Sequence, residues 1–164
     1  MIVMDASTAI LLAKAELLDE FIHGVTDQVA MPVEVQQECC TRDSPDARLI
    51  GRAIAENRIA VKTVARKDLV AELRGEFTLG LGEASAIALA TGRRKVLVAT
   101  DDKRAINACK LLRIPFTTAL AVLVRMREKG VLGRDQAVAK LEALAEFGRY
   151  RKDTIAAART QLEG

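Results

Sequence analysis

A chain of 164 residues has room for one domain with a sizeable core and for little more. Half of it is hydrophobic, 29% is charged and only 3% is aromatic, which excludes a disordered chain and requires a core built from Leu, Ile, Val and Ala. The formal net charge of +3 is compatible with a polyanionic ligand but does not demand one, and no apolar run approaches the length of a membrane span.

Taken in chain order, Ile2-Val3-Met4 reads as a strand that ends at Asp5. A helical pattern follows it through Ile10, Leu11, Leu12, Leu17, Leu18 and Phe21. Val29-Ala30-Met31 is a second strand. Pro32 suits the first turn of the next helix, which carries Val35 and Glu38. Ser44-Pro45-Asp46 opens another helix, and Ile59-Ala60-Val61 is a third strand. Leu79-Gly80-Leu81-Gly82-Glu83 is a glycine hinge that leads into Ala84–Ala90, a segment apolar nearly all round and therefore a buried helix. Val96–Ala99 is the best-defined strand and runs into Thr100-Asp101-Asp102. A helix from Lys103 to Leu112 and a fifth strand at Ile114–Thr117 follow. From Ala119 onward the pattern is helical, with breaks at Gly130 and Gly148. The alternation implies βαβ units and a parallel sheet covered on both faces. Residues 1–125 form the body. Residues 126–164 form a helical extension packed on the same domain or on a partner. The apolar positions of Ala119–Lys129 and of the last helices exceed what a small core obviously needs, so a homodimer is expected.

Two of these strands end in acids, Asp5 after the first and Asp101 and Asp102 after the fourth. Parallel strands would bring them to one edge of the sheet, where α/β proteins bind their ligands. Glu83 opens the buried helix, and Glu38 lies one turn beyond Val35, with Glu34 as its competitor. Each alone has an ordinary explanation as a helix cap, a dipole partner or a solvated helix residue. Together they suggest a carboxylate cluster, which suits a hard cation such as Mg²⁺ or Mn²⁺ and the hydrolysis of phosphodiesters. Lys103 and Arg104, directly after the acids, and Arg42 are the cations placed to hold phosphates. Arg93-Arg94-Lys95 precedes its strand and belongs to the opposite edge. Phe116 and Tyr150 are the sparse aromatics available for base stacking.

The same segments resemble a PIN domain over roughly the first 120 residues. Ile2-Val3-Met4-Asp5-Ala6-Ser7 is similar to the opening strand with the first catalytic aspartate and its supporting hydroxyl residue. Met31-Pro32-Val33-Glu34-Val35-Gln36-Gln37-Glu38 resembles the Val-Pro segment whose helix carries the second acid, which the match places at Glu38. Leu79–Ala84 resembles the stretch with the third acid, Glu83. Val98–Asp102 resembles the strand end with the fourth, shared between Asp101 and Asp102. The resemblance implies a three-layer α/β/α fold and Mg²⁺- or Mn²⁺-dependent cleavage of single-stranded RNA. It commonly implies a homodimer as well, and in VapC-like toxins an antitoxin partner. Asp5, Glu83 and Asp101 or Asp102 would hold the metal, Glu38 would complete the site, and Ser7 and Thr100 would orient the acids.

Other readings are weaker. A catalytically silent PIN-like module that binds RNA or a protein would share the fold. A response-regulator receiver also uses acids at strand ends, but Ile59–Val61 leads into Lys62-Thr63 with no acid. His23 is the only histidine, which leaves a Ser/His/Asp triad little to build on. Cys39, Cys40 and Cys109 have no zinc-site spacing and no even framework. They read as reduced, buried thiols in a cytoplasmic protein. The start of the chain lacks a basic region and a long apolar stretch, so no secretory signal is expected.

Overall fold

The computed structural model describes residues 1–164. Five short strands, Ile2–Met4 (β1), Val29–Pro32 (β2), Ala60–Lys62 (β3), Leu97–Ala99 (β4) and Phe116–Thr117 (β5), form one sheet in the order β3-β2-β1-β4-β5. Every pairing is parallel, with Met4 opposite Ala99 and Val3 opposite Ala30. Ten helices cover it: Ala6–Lys14 (α1), Leu18–Gly24 (α2), Val33–Cys40 (α3), Pro45–Ala55 (α4), Lys67–Phe77 (α5), Leu81–Ala90 (α6), Lys103–Leu112 (α7), Ala119–Glu128 (α8), Arg134–Phe147 (α9) and Lys152–Glu163 (α10). This is a three-layer α/β/α arrangement. The strand order differs from the 2-1-3-4-5 order of receiver domains, which removes that alternative.

The central strand explains the two layers. Successive side chains of a strand point to opposite faces. Ile2 and Met4 therefore enter one hydrophobic cluster with α1, α3, α4 and the C-terminal helices. Val3 enters the other, with α5, α6 and α7. A strand buried on both faces must be apolar at every position, and β1 is. Helix α6 is buried at every position from Gly82 to Ala90 except Glu83. Its small side chains let it reach the sheet while touching α3 and α5.

Two expectations change in detail, and one helix is added. The helical pattern of residues 6–21 is two helices, because Glu16 takes a left-handed conformation (φ 53°) just after α1 ends. Helix α5 carries no strong sequence signal, since only Val70 and Leu73 of its eleven residues are buried. Pro32 ends β2 and caps α3 instead of lying inside its first turn.

The apolar positions beyond Ala119 are used within the chain. Leu120, Val122, Leu123 and Met126 of α8 pack with Leu141 and Leu144 of α9 and with Ala158 and Leu162 of α10, in the same cluster as β1 and β2. The inference of a dimer from surplus apolar positions therefore loses its basis. No helix is long and apolar enough to cross a membrane.

Candidate active site

The strand order places a crevice beyond the C-terminal ends of β1 and β4. The chain leaves the central strand toward β2 on one side and returns to it as β4 on the other, and open α/β sheets bind ligands at such a switch point. Asp5 and Thr100-Asp101 are the next residues of those two strands. The Asp5 amide donates to the Ala99 carbonyl at 3.0 Å, which locks the two strand ends together.

Asp5 is almost completely buried, at 1% exposure. Its carboxylate caps α1, accepting from the Thr8 amide at 3.0 Å. Ser7 Oγ donates to the same oxygen, Oδ1, at 2.7 Å. Thr100 Oγ1 donates to Oδ2. Burial nevertheless pushes the carboxyl from 3.8 up to about 7, against the pull of these three hydrogen bonds, and the nearby charge of Asp101 adds to the rise. Such a group is poised between its acid and its base near neutrality.

Asp101 is gripped on both oxygens. Thr8 Oγ1 and the Ala119 amide donate to Oδ2 at 2.6 and 2.9 Å, and the Tyr150 hydroxyl donates to Oδ1 at 2.6 Å. Its own amide donates to Ser7 Oγ at 3.0 Å, so Ser7 links both aspartates. Asp102 has a different task. Its Oδ1 caps α7, accepting from the Arg104 and Ala105 amides at 2.8 and 2.9 Å. Thr8, Ala119 and Tyr150 are contacts that the sequence reading missed. Thr8 could have been found from its place one turn after a capping aspartate. The other two come from distant segments and left no local signal.

Glu38 and Glu83 form a second acidic pair. Glu83 Oε2 accepts from the Gly80 amide at 2.7 Å and closes a capping box at the start of α6. Glu38 lies across that helix start. A Cβ on Gly82 would stand 2.6 Å from Glu38 Oε2 and 3.3 Å from Val35 Cγ2, so α3 and α6 cross closely there and any larger residue would have to move the Glu38 carboxylate. Burial and then the charge of Glu83 raise the Glu38 carboxyl above its ordinary value. The two acidic pairs are distinct: Asp5 feels the charge of Asp101, and Glu38 that of Glu83. Glu34 is occupied elsewhere. Burial pushes its carboxyl up, but the ammonium of Lys67 at 2.7 Å outweighs that and holds it below the usual value.

A groove of about 700 Å³ opens beside the aspartates, lined among others by Ser7, Asp101, Asp102, Lys103, Arg104 and Tyr150. Arg42 is not part of it and lines a separate recess with Cys40, Arg48 and Gly51. Lys95, in the other basic cluster, accepts at its carbonyl from the N-terminal ammonium at 3.0 Å, at the opposite end of the sheet. His23 is exposed near the end of α2. Burial pushes the thiols of Cys39 and Cys109 up to about 12 and about 11, so neither is a nucleophile at neutral pH.

No three histidine, cysteine, aspartate or glutamate side chains form a ready-made metal cage. Mg²⁺ does not require one, since it is commonly held by one or two carboxylates, with waters and substrate phosphates completing its shell. Asp5 and Asp101, on adjacent strand ends and electrostatically coupled, are a donor set of that kind.

No curated protein and no solved structure matches the chain. A family model described as a PIN domain matches residues 1–163, so the match runs through the C-terminal helices as well as the sheet. Both the acids at the sheet's switch point and the reach of that match make the chain a member of the PIN-domain family, whose domains are generally nucleases.

Proposed function

We propose that this chain is a Mg²⁺- or Mn²⁺-dependent endoribonuclease that hydrolyses phosphodiester bonds of single-stranded RNA. The observation that carries the reading is the buried Asp5, electrostatically coupled to Asp101 at the switch point, where Asp101 lines a groove together with Lys103 and Arg104. Asp5 and Asp101 would hold the cation, with Asp102 next to them in sequence, while Glu38 and Glu83 would take part only as a separate acidic pair. When bound, the cation supplies Lewis acidity toward a phosphate and toward water.

The chain's own residues do the rest. Ser7 and Thr100 orient Asp5, and Ser7 also ties it to Asp101. With its carboxyl at about 7, Asp5 would have to release its proton to serve as a cation ligand, so cation affinity should rise from pH 6 to pH 8. Lys103 and Arg104 hold the RNA backbone along the groove. Arg42 binds RNA only if the strand extends across α3 to its recess. The same reading carries a second copy of the chain and, in a toxin role, an antitoxin protein as partners in the cytoplasm.

The test is cleavage of a mixed single-stranded RNA pool with and without Mn²⁺, by the wild type and Asp5→Asn in parallel. Cleavage that needs Mn²⁺ and vanishes in the variant supports the reading. Cleavage that survives the variant removes Asp5 from the site. The second reading, a silent RNA-binding module, draws on the absence of a three-acid cage. It predicts RNA retention in chelator and no cleavage by either protein.

A further inference from the structure

Tyr150 reaches the acidic site from the far end of the sequence. We infer that it is a positioning residue of this centre, whose hydroxyl fixes the Asp101 carboxylate for a divalent cation; this rests on the nuclease reading above. Three observations point there. The first is the grip on Asp101. A carboxylate offers about four acceptor positions. Thr8 and Ala119 fill both on Oδ2, and Tyr150 fills one on Oδ1, leaving a single free position on a carboxylate that cannot rotate.

The second is the space made for the ring. A Cβ on Gly148 would lie 2.3 and 2.7 Å from two Tyr150 ring carbons and 2.8 Å from the Leu144 carbonyl oxygen. The backbone at Gly148 (φ −92°) is one that any residue adopts, so the glycine is needed for room alone. The third is the anchoring of the segment that carries the ring. Before it, α9 is docked in the core through Leu141 and Leu144, both fully buried. After it, α10 is docked in the same core through Ala158 and Leu162, both buried. The ring therefore has a fixed platform on each side. A half-buried phenol at the wall of an open groove could take water as its partner. Here it takes the carboxylate of Asp101, the aspartate tied to Asp5 through Ser7.

The chain has one tyrosine and no tryptophan, so its intrinsic emission reports Tyr150 alone. The experiment measures Mn²⁺ affinity by calorimetry for the wild type and Tyr150→Phe, melting temperatures of both in chelator, and wild-type tyrosine emission during a Mg²⁺ titration. Loss of a group that orients a metal ligand lowers affinity by roughly 10- to 100-fold. We expect that loss in Tyr150→Phe with little change in melting temperature, and a saturable Mg²⁺-dependent change in wild-type emission. Equal Mn²⁺ affinity of the two proteins, or wild-type emission indifferent to Mg²⁺ in a protein that binds Mn²⁺, overturns the inference and leaves the nuclease reading standing. A lowered melting temperature with unchanged affinity assigns Tyr150 a merely structural role and also overturns it. A wild type that binds no Mn²⁺ overturns the nuclease reading and this inference with it.

Discussion

Asp5→Asn should make the metal-free protein more stable at neutral and alkaline pH while abolishing cleavage. In the folded chain the Asp5 carboxyl sits at about 7, against 3.8 for an ordinary aspartate. Its proton is therefore bound more tightly in the folded state than in the unfolded one. The linkage has a definite sign. Below pH 4 the group is protonated in both states and costs nothing. As pH rises toward 7, only the unfolded chain gains from ionisation, so folding loses stability, and above 7 the loss is constant. The gap of about three pH units, at about 1.36 kcal/mol each, sets an upper limit of about 4 kcal/mol. Asparagine caps a helix as well as aspartate does. Its amide oxygen can accept from Ser7 Oγ and the Thr8 amide, and it carries no charge to bury. For a chain of this size the full effect corresponds to a gain on the order of 10 °C in melting temperature. The assay is thermal denaturation of both proteins in chelator from pH 5 to pH 8.5. The difference should be largest at the alkaline end and shrink by more than half at pH 5. Adding Mg²⁺ should raise the wild type toward the variant and leave the variant unmoved. A difference that does not depend on pH, or a variant less stable at pH 8, would refute the argument that Asp5 is buried at a cost.

Reversing Lys103 and Arg104 to Glu should weaken RNA binding across all sequences and lower the salt slope of log K by about 1.4, from about 0.7 per phosphate contact on a single strand, as read by binding at several salt concentrations. Leu144→Ala should cost about 2–5 kcal/mol, because the side chain is fully buried in the cluster that also contains β1. Chemical denaturation of that variant should remain one transition; two would separate the helices after residue 125 from the body. The second copy carried by the proposed function, which rests on the family likeness and not on the apolar positions after Ala119, should appear as a dimer in sedimentation at micromolar concentration. The apolar surface left for such contact includes Leu111 and Leu112 at the end of α7, 66% and 39% exposed, so Leu111→Lys should shift the species toward monomer.

The alternation of short apolar runs with helical patterns was enough to read the α/β class, because period 2 and period 3.6 leave different marks on a chain. It is enough to place Asp5 and Asp101 at strand ends, since Asp5 directly follows its run and Asp101 follows its own after Thr100 alone. It also marked α6 as buried, because a helix without a polar face has nowhere else to go. Helix α5 leaves no comparable mark, because two buried residues in eleven make no stripe. Order among the strands is a different matter. Parallel pairing joins segments more than ninety residues apart, such as Ile2 and Leu97, through backbone groups that are the same in every residue. No side-chain pattern encodes which strand lies beside which. The separation of the acids into an Asp5–Asp101 pair and a Glu38–Glu83 pair follows from that order and from the crossing of α3 over α6 at Gly82. So does the charge state of Asp5, since burial is a property of the packed layers and not of the residue. Tyr150 meets Asp101 across forty-nine positions of sequence for the same reason: a hydrogen bond between distant segments depends on where two packed helices deliver their ends, and only the assembled core sets that.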